Sequence, residues 1–191
     1  MTAYVLNIPT VAKLSDEQFY QLCQANRDLK LELTAKGELI IMPPTGGATG
    51  RKNSDLIADL VIWNRQTKLG IVFDSSTGFK LPNGARRSPD VAWIPLMRWN
   101  SLTTSQKQKF LPLCPNFVIE LRSPTDNLDT LRSKMQEYQD NGTFLGWLIN
   151  PQDKQVEIYR SGKKVEILSS PQNISGENVL TGFVLDLESI W

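Results

Sequence analysis

Residues 88–122 open with the sequence SPDVAW (88–93) and close with FVIELR (117–122). Both ends are apolar runs rich in β-branched and aromatic residues, and each carries a carboxylate, Asp90 in the first run and Glu120 in the second. The second run shows little alternation of apolar and polar residues, which predicts a central strand buried on both faces. A charge at such a position is costly without a partner or a purpose. These two strands therefore predict both the centre of the fold and a candidate site.

Helical and strand patterns surround this segment. Ser15 and Gln18 have the spacing of a capping box, which predicts a helix over 15–27. Helical spacing of apolar residues predicts two more helices, at 52–68 and from Leu128 to a stop near Gly142. Strands are predicted at 29–33, 38–42, 71–73, 78–81, 90–94, 117–121, 146–149, 155–159 and 165–168, a short helix at 105–110, and a closing strand or tail at 179–191.

This order of elements predicts a single mixed α/β domain over residues 1–191. We divide it into an N-terminal helix and hairpin (1–45), a core (46–170) and a C-terminal tail (171–191). The chain has no stretch of the ~20 apolar residues that a membrane span needs, and its N-terminus lacks the pattern of a secretion signal. The two cysteines have no metal-ligand spacing. We therefore expect a soluble, cytoplasmic protein that does not bind membranes.

Composition excludes several chemistries. The sequence contains no histidine, so nucleophiles activated by imidazole and zinc sites with imidazole ligands are ruled out. Any hydrolysis must use carboxylates, a metal ion, lysine or tyrosine. A formal net charge of +1 argues against a protein that coats DNA through bulk charge, although local basic clusters can still contact phosphates.

The two carboxylates suit a hard divalent cation. If their strands are neighbours in one sheet, Asp90 and Glu120 lie close together and could hold Mg²⁺ or Mn²⁺, which needs only one or two protein carboxylates. Arg122 is two positions after Glu120, so strand alternation predicts that both point to the same face. Arg122 could stabilise charge on a scissile phosphate, but its guanidinium stays protonated and cannot serve as a base.

Lys134 and Tyr138 are four residues apart and therefore share one face of the third helix. Either could orient an attacking water or a phosphate oxygen, and Lys134 could titrate if it were desolvated. For each motif there is also a structural interpretation. A Pro-Asp pair is common at a strand entry, a Glu-x-Arg pair is common as an ion pair, and a helical lysine is commonly solvated.

The motifs together resemble a restriction-endonuclease family that is abundant in cyanobacteria, within the PD-(D/E)XK nuclease superfamily. The resemblance extends from about Leu31 to Tyr159. It is carried by Gly37-Glu38-Leu39, Met42-Pro43-Pro44, Ser88-Pro89-Asp90-Val91-Ala92-Trp93, Phe117-Val118-Ile119-Glu120-Leu121-Arg122-Ser123-Pro124, Lys134 to Tyr138, Gly142 and Trp147-Leu148-Ile149-Asn150-Pro151.

The resemblance implies a restriction-endonuclease-like core, with a central mixed sheet flanked by helices, and metal-dependent cleavage of nucleic acid. On it, Asp90 and Glu120 match the two motif acids, and Arg122 stands where the superfamily usually has lysine. Either Lys134 replaces that lysine from the helix, or the site binds without cutting. An upstream acid often completes such sites. Our candidate for this third metal ligand is Glu38, with Glu32 and Asp74 as rivals.

The predicted function is therefore that of an Mg²⁺- or Mn²⁺-dependent deoxyribonuclease acting on double-stranded DNA. Cutting both strands commonly needs two sites, so we expect a homodimer. The alternatives are a nuclease fold that binds nucleic acid without cleavage, and a protein-interaction module in which the charges form ion pairs. Possible nucleic-acid contacts are Arg51, Lys52, Arg86, Arg87 and Tyr138.

Overall fold

The computed structural model describes residues 3–9 and 12–191. The helices are Asp16–Ala25 (α1), Gly47–Thr67 (α2), Leu96–Asn100 (α3), Thr104–Lys107 (α4) and Leu128–Asp140 (α5). The strands are Tyr4–Leu6 (β1), Lys30–Leu33 (β2), Leu39–Met42 (β3), Gly70–Asp74 (β4), Phe79–Lys80 (β5), Arg86–Arg87 (β6), Val91–Pro95 (β7), Phe117–Leu121 (β8), Leu145–Asn150 (β9), Gln155–Arg160 (β10), Glu166–Ser169 (β11), Asn173–Ser175 (β12) and Val184–Asp186 (β13).

The main sheet has the strand order β11-β10-β9-β8-β7-β4. β8 lies in its interior, pairing antiparallel with β7 and parallel with β9, so the prediction of a central strand in a mixed sheet is confirmed. Val91 pairs with Ile119, and the same register places Asp90 across from Glu120 at the next position. The two carboxylates that the sequence singled out are therefore neighbours across one strand pair.

Helices cover both faces of this sheet. On one face α2 buries Leu56, Leu60 and Trp63 against alternate residues of the central strands, including Trp93 and Ile119. On the other face α5 buries Met135 and Tyr138 against the residues in between. The alternation of side chains along β8 thus sends Ile119 towards α2 and Glu120 towards α5.

The connection from β8 to β9 runs through α5, as a parallel pairing requires. Gly142 follows this helix with a φ of 105°, which confirms the predicted glycine stop. Gly146 on β9 lets the helix approach, since a Cβ there would lie 2.6 Å from Cε of Met135. These two glycines fix where α5 ends and how closely it packs.

A second, antiparallel sheet has the strand order β1-β3-β2-β6-β5. The capping box at Ser15 and the β2–β3 hairpin are as predicted. β1 and β6 were not predicted, because a three-residue apolar segment and an Arg-Arg pair carry little strand signal. Leu33 of β2 pairs with Arg86 of β6, which brings the N-terminal hairpin beside the segment that leads into Asp90.

Two segments differ from the expected boundaries. α2 begins at Gly47, five residues before the expected start at 52. Its N-cap is Gly46, so no side chain caps the helix. The C-terminal segment, expected as a closing strand or tail, contains the antiparallel pair β12–β13 and packs Phe183 and Leu185 into the core cluster with Trp63. No helix within residues 3–9 and 12–191 has the length and apolar character needed to cross a membrane.

Candidate active site

Asp90 and Glu120 meet beside the segment that enters β7. Oδ2 of Asp90 accepts a hydrogen bond of 2.9 Å from the main-chain N–H of Leu121. Its Oδ1 lies 3.8 Å from Nζ of Lys30, the first residue of β2. Asp90 keeps 17% of its side-chain surface exposed, whereas Glu120 keeps only 5% of its own. The pair therefore presents one accessible and one buried carboxylate.

Glu120 is held from α5 by the residues that helical spacing placed on one face. Its Oε1 accepts from Nζ of Lys134 at 2.8 Å and from the hydroxyl of Tyr138 at 3.1 Å. The same ammonium lies 2.9 Å from Oε1 of Glu32, on β2. Lys134 thus joins carboxylates from two different sheets.

Glu32 and its partners extend this arrangement. Its Oε1 accepts from the N–H of Ser88 at 2.9 Å, and its Oε2 lies 3.1 Å from Nη1 of Arg87. Arg87 also donates from Nε to Oε2 of Glu137 at 2.5 Å. We refer to Glu32, Arg87, Glu120, Lys134, Glu137 and Tyr138 as the buried charge network.

The pKa values of the two most deeply buried acids of the network, Glu32 and Glu120, are shifted in opposite directions. Burial alone would raise the pKa of Glu32, but Lys134, Arg87 and Lys30 outweigh it and hold this pKa at about 2. Burial raises the pKa of Glu120 to about 7, against the attraction of Lys134 and reinforced by the negative charges of Asp90 and Glu32. The neighbouring cations therefore favour the charged form of Glu32, whereas burial favours the neutral form of Glu120.

Lys134 and Tyr138, the two residues of α5 that contact Glu120, both have a raised pKa. Burial would lower the pKa of Lys134, but Glu120 and Glu32 raise it above the usual lysine range. Burial and the neighbouring carboxylates raise the pKa of Tyr138 well above its ordinary value. The carboxylates around Lys134 therefore favour its charged form over the titrating base considered from the sequence.

Arg122 is directed elsewhere. It follows the last residue of β8, and its Nη1 donates to Oδ1 of Asn150 and to Oδ2 of Asp153, each at 3.2 Å. Its Nε lies 3.5 Å from the main-chain oxygen of Asp126. These contacts hold the turn between β9 and β10. The structure thus places Lys134, rather than Arg122, on the carboxylate of Glu120.

The upstream acid beside the pair is Glu32 rather than Glu38. Glu38 lies in the β2–β3 turn, where Oε2 accepts from the hydroxyl of Thr34 at 3.0 Å. The rival Asp74 uses Oδ1 to accept from the N–H and hydroxyl of Ser76. A usable signal existed, because Glu32 stands between two leucines in a short strand and is therefore an acid in an apolar environment.

Three of the four basic residues expected to contact nucleic acid have hydrogen-bond or ion-pair partners within the protein. Arg51 donates to Asp55 at 2.7 Å and to the main-chain oxygen of Ser189 at 2.8 Å. Arg86 is buried and pairs with Asp16. Arg87 and Tyr138 belong to the buried charge network. Lys52 is partly buried, and burial followed by the charge of Arg51 lowers its pKa.

A cleft of about 570 Å³ opens beside Asp90. Its walls are the N-terminal part of α2, the start of β2 and the loop after β8. Lys30 is the one cation among the described residues that line it. The lining residues are Ala3, Asp28, Lys30, Met42, Pro43, Pro44, Thr45, Gly46, Ala48, Thr49, Asn53, Ser75, Asp90, Leu121, Ser123, Pro124, Thr125 and Asp126.

The carboxylates at the cleft form a small donor set for a divalent cation. No group of three or more acidic or cysteine side chains in the described parts of the chain is arranged to hold a metal. Mg²⁺ does not require such a group, because it keeps several waters and binds through one or two carboxylates together with substrate phosphate. Asp90 and Glu120 fit that requirement. Glu32 is already occupied by Lys134, Arg87 and Ser88.

Comparison with known proteins identifies the family and the fold. A family model for Uma2, described as a putative restriction endonuclease, matches residues 16–188. The fold is also similar to the solved structure of a putative nuclease belonging to DUF820 from Anabaena variabilis ATCC 29413, with 17% sequence identity, a TM-score of 0.72, and coverage of 84% of this chain and 88% of the other. At that identity the likeness concerns the fold alone, and it confirms the predicted mixed α/β nuclease fold.

No curated protein matches the sequence. The family model nevertheless spans most of the chain, from α1 to beyond β13. This protein therefore belongs to the Uma2 family of putative restriction endonucleases.

Proposed function

We propose that this protein is a divalent-metal-dependent deoxyribonuclease that hydrolyses phosphodiester bonds. The observation that carries the proposal is the placement of Asp90 across from Glu120, with the ammonium of Lys134 on Glu120 and an open cleft at Asp90. A buried cation with two acids beside a cleft matches the needs of phosphate chemistry. The Uma2 family and the nuclease fold support the same reaction class.

Asp90 and Glu120 would hold Mg²⁺ or Mn²⁺. Such an ion, when bound, lowers the pKa of a coordinated water and offsets negative charge on the scissile phosphate. The protein's own task is to fix the ligands: the N–H of Leu121 orients Asp90, while Lys134 and Tyr138 orient Glu120. Residues locked by a second layer of contacts hold a site to the geometry that catalysis needs.

Lys134 has a second task in this proposal. Its pKa is raised by the carboxylates around it, so it remains positive and can stabilise negative charge near Glu120 throughout the neutral range. Arg87 pairs with Oε2 of Glu32, and this contact keeps Oε1 of Glu32 directed at Lys134. The network therefore positions a cation as well as a metal ligand.

A binding protein without cleavage is the second candidate, and Arg122 in place of the superfamily lysine is the observation that favours it. The position of Lys134 weakens that argument, because a lysine ammonium does reach the second acid.

A protein-interaction module is the third candidate, since ion pairs alone would satisfy most of the buried charge network. Metal binding and turnover separate the three.

The experiment is titration calorimetry of Mg²⁺ and Mn²⁺ into wild type, Asp90→Asn and Glu120→Gln, with a plasmid-nicking assay on the same samples. Asp140→Asn is the matched control, because Asp140 is an exposed acid on α5 outside the network. We expect wild type and the control to bind metal and nick DNA, and both site variants to lose nicking. Metal binding without nicking would favour the second candidate. Absence of metal binding, with and without DNA, would refute the metal site.

A further inference from the structure

Lys30 lines the cleft and makes no hydrogen bond to the carboxylates of the proposed site. It is the first residue of β2, two positions before Glu32, so both side chains leave the same face of the strand. Its Nζ lies 3.8 Å from Oδ1 of Asp90, and 30% of its side-chain surface is exposed. Lys30 is therefore accessible from the cleft and adjacent to a proposed metal ligand.

Lys134, Arg87 and Arg122 are engaged with protein groups at hydrogen-bonding distance. Lys134 lies within 2.9 Å of Glu32 and 2.8 Å of Glu120. Arg87 and Arg122 also donate to side-chain oxygens. The 3.8 Å between Lys30 and Asp90 is longer than a hydrogen bond, so this pair interacts through charge and the ammonium donors are not used by Asp90.

The other charges on the described walls of the cleft are negative, so Lys30 is the residue there that can attract a phosphate. Asp28, Asp90 and Asp126 line the same cleft, and Lys30 is the one cation among its described lining residues. A nucleic-acid backbone that enters would be repelled by these carboxylates. A lysine ammonium is a compact charge with three donors, well suited to a phosphate oxygen.

We propose that Lys30 binds a backbone phosphate of the nucleic acid and so positions the strand in the cleft next to Asp90. This inference rests on the proposed function. Lys30 donates to a non-bridging phosphate oxygen and takes no part in proton transfer. A metal ion held by Asp90 would weaken the attraction of this carboxylate for the ammonium and would leave the donors of Lys30 to the phosphate.

The test is DNA binding measured by fluorescence anisotropy in Ca²⁺, over a series of salt concentrations. The variants are Lys30→Ala, Lys30→Met, which keeps most of the apolar stem, and Lys30→Arg. The control is Lys36→Ala, which removes an exposed lysine from the turn of the same hairpin. We expect Lys30→Ala and Lys30→Met to weaken binding about tenfold at low salt. For both variants, the slope of the logarithm of the binding constant against the logarithm of the salt concentration should become less steep by about 1.

Lys30→Arg should retain the wild-type slope, and Lys36→Ala should not change it. A purely structural role of Lys30 would alter the melting temperature but leave the slope intact. The contacted position can then be located with DNA in which single phosphates are replaced by neutral methylphosphonates. One substitution should weaken wild type and have no further effect on Lys30→Met.

The two proposals fail in different ways. If wild type cuts DNA and both Lys30→Ala and Lys30→Met keep the wild-type slope, the phosphate contact is refuted and the nuclease stands. If wild type binds DNA without cutting it while the slope changes as expected, the contact stands and the hydrolytic proposal is refuted. If wild type neither binds nor cuts DNA, both are refuted.

Discussion

Asp90 lies directly across the β7–β8 pair from Glu120, and its carboxylate accepts the N–H of Leu121 at 2.9 Å. The two acids are therefore positioned by backbone pairing and not by flexible loops. Lys134 completes the relationship from α5, at 2.8 Å from Glu120 and 2.9 Å from Glu32.

Lys134 is expected to matter for stability as well as for catalysis. Lys134→Met leaves Glu32 and Glu120 buried without their shared counter-charge. Breaking a buried pair in this way costs about 3–5 kcal/mol of unfolding free energy. Urea denaturation at neutral pH measures the cost, with Lys36→Met as an exposed control. A loss below about 1 kcal/mol, as seen for surface ion pairs, would contradict the role assigned to Lys134.

Metal affinity should depend on pH through Glu120. Burial, together with Asp90 and Glu32, raises the pKa of Glu120 to about 7, and a metal ion binds the deprotonated carboxylate. Affinity for Mn²⁺ should therefore rise with pH up to about 7, by up to tenfold per pH unit, and level off above it. Calorimetry in buffers of different ionisation enthalpy counts the proton released on binding.

Glu120→Gln provides the comparison for this pH dependence. The variant has no proton to release at this position, so any remaining metal affinity should be flat between pH 6 and pH 8. An unchanged pH dependence in Glu120→Gln would show that another group titrates. Tyr138→Phe should shift the wild-type midpoint upwards, because the phenol no longer donates to the carboxylate.

The free energy of unfolding at acid pH should depend on the ionisation of Glu32. Its pKa is held at about 2, below the ordinary value of 4.5, so the unfolded chain binds the proton more readily than the folded protein. The resulting stabilisation is fully present above pH 4.5 and is lost as the pH falls towards 2. The shift corresponds to about 3 kcal/mol. Unfolding free energies of wild type and Glu32→Gln between pH 2 and pH 6 measure it. Parallel curves for the two proteins would contradict the shift.

Local sequence patterns predicted most elements of the fold. The capping box of α1, the apolar run of β8 and the glycine after α5 each depend on neighbouring residues, and each is confirmed. The strand β6 was missed because two adjacent arginines become a strand only through pairing with β2 and β5. Tertiary pairing of this kind leaves no local signal.

The candidate site was predictable to a similar extent. Asp90 and Glu120 could be brought together by reasoning about neighbouring strands, and the i, i+4 spacing placed Lys134 with Tyr138. The partner of Lys134 on β2 could not be identified, since it depends on how the second sheet packs against the first. Strand alternation also assigned Arg122 to the face of Glu120, although the strand ends at Leu121 and the guanidinium binds the β9–β10 turn.

This difference leads to a direct comparison of two cations. If Lys134 supplies the positive charge of the site, Lys134→Ala should reduce nicking at least 100-fold under conditions where the variant remains folded. Arg122→Ala should change nicking by less than about fivefold, because its contacts are to Asn150, Asp153 and the main chain of Asp126. Arg122→Lys, which restores the residue usual in the superfamily, should not increase the rate.

Nicking rates at saturating Mn²⁺, corrected for the folded fraction from circular dichroism, provide the comparison. Arg122→Ala should still lower the melting temperature, because the turn between β9 and β10 loses hydrogen bonds to a charged donor. The reverse ranking, with nicking abolished in Arg122→Ala and retained in Lys134→Ala, would return the catalytic charge to position 122. It would also require the guanidinium to leave Asp153 when nucleic acid binds.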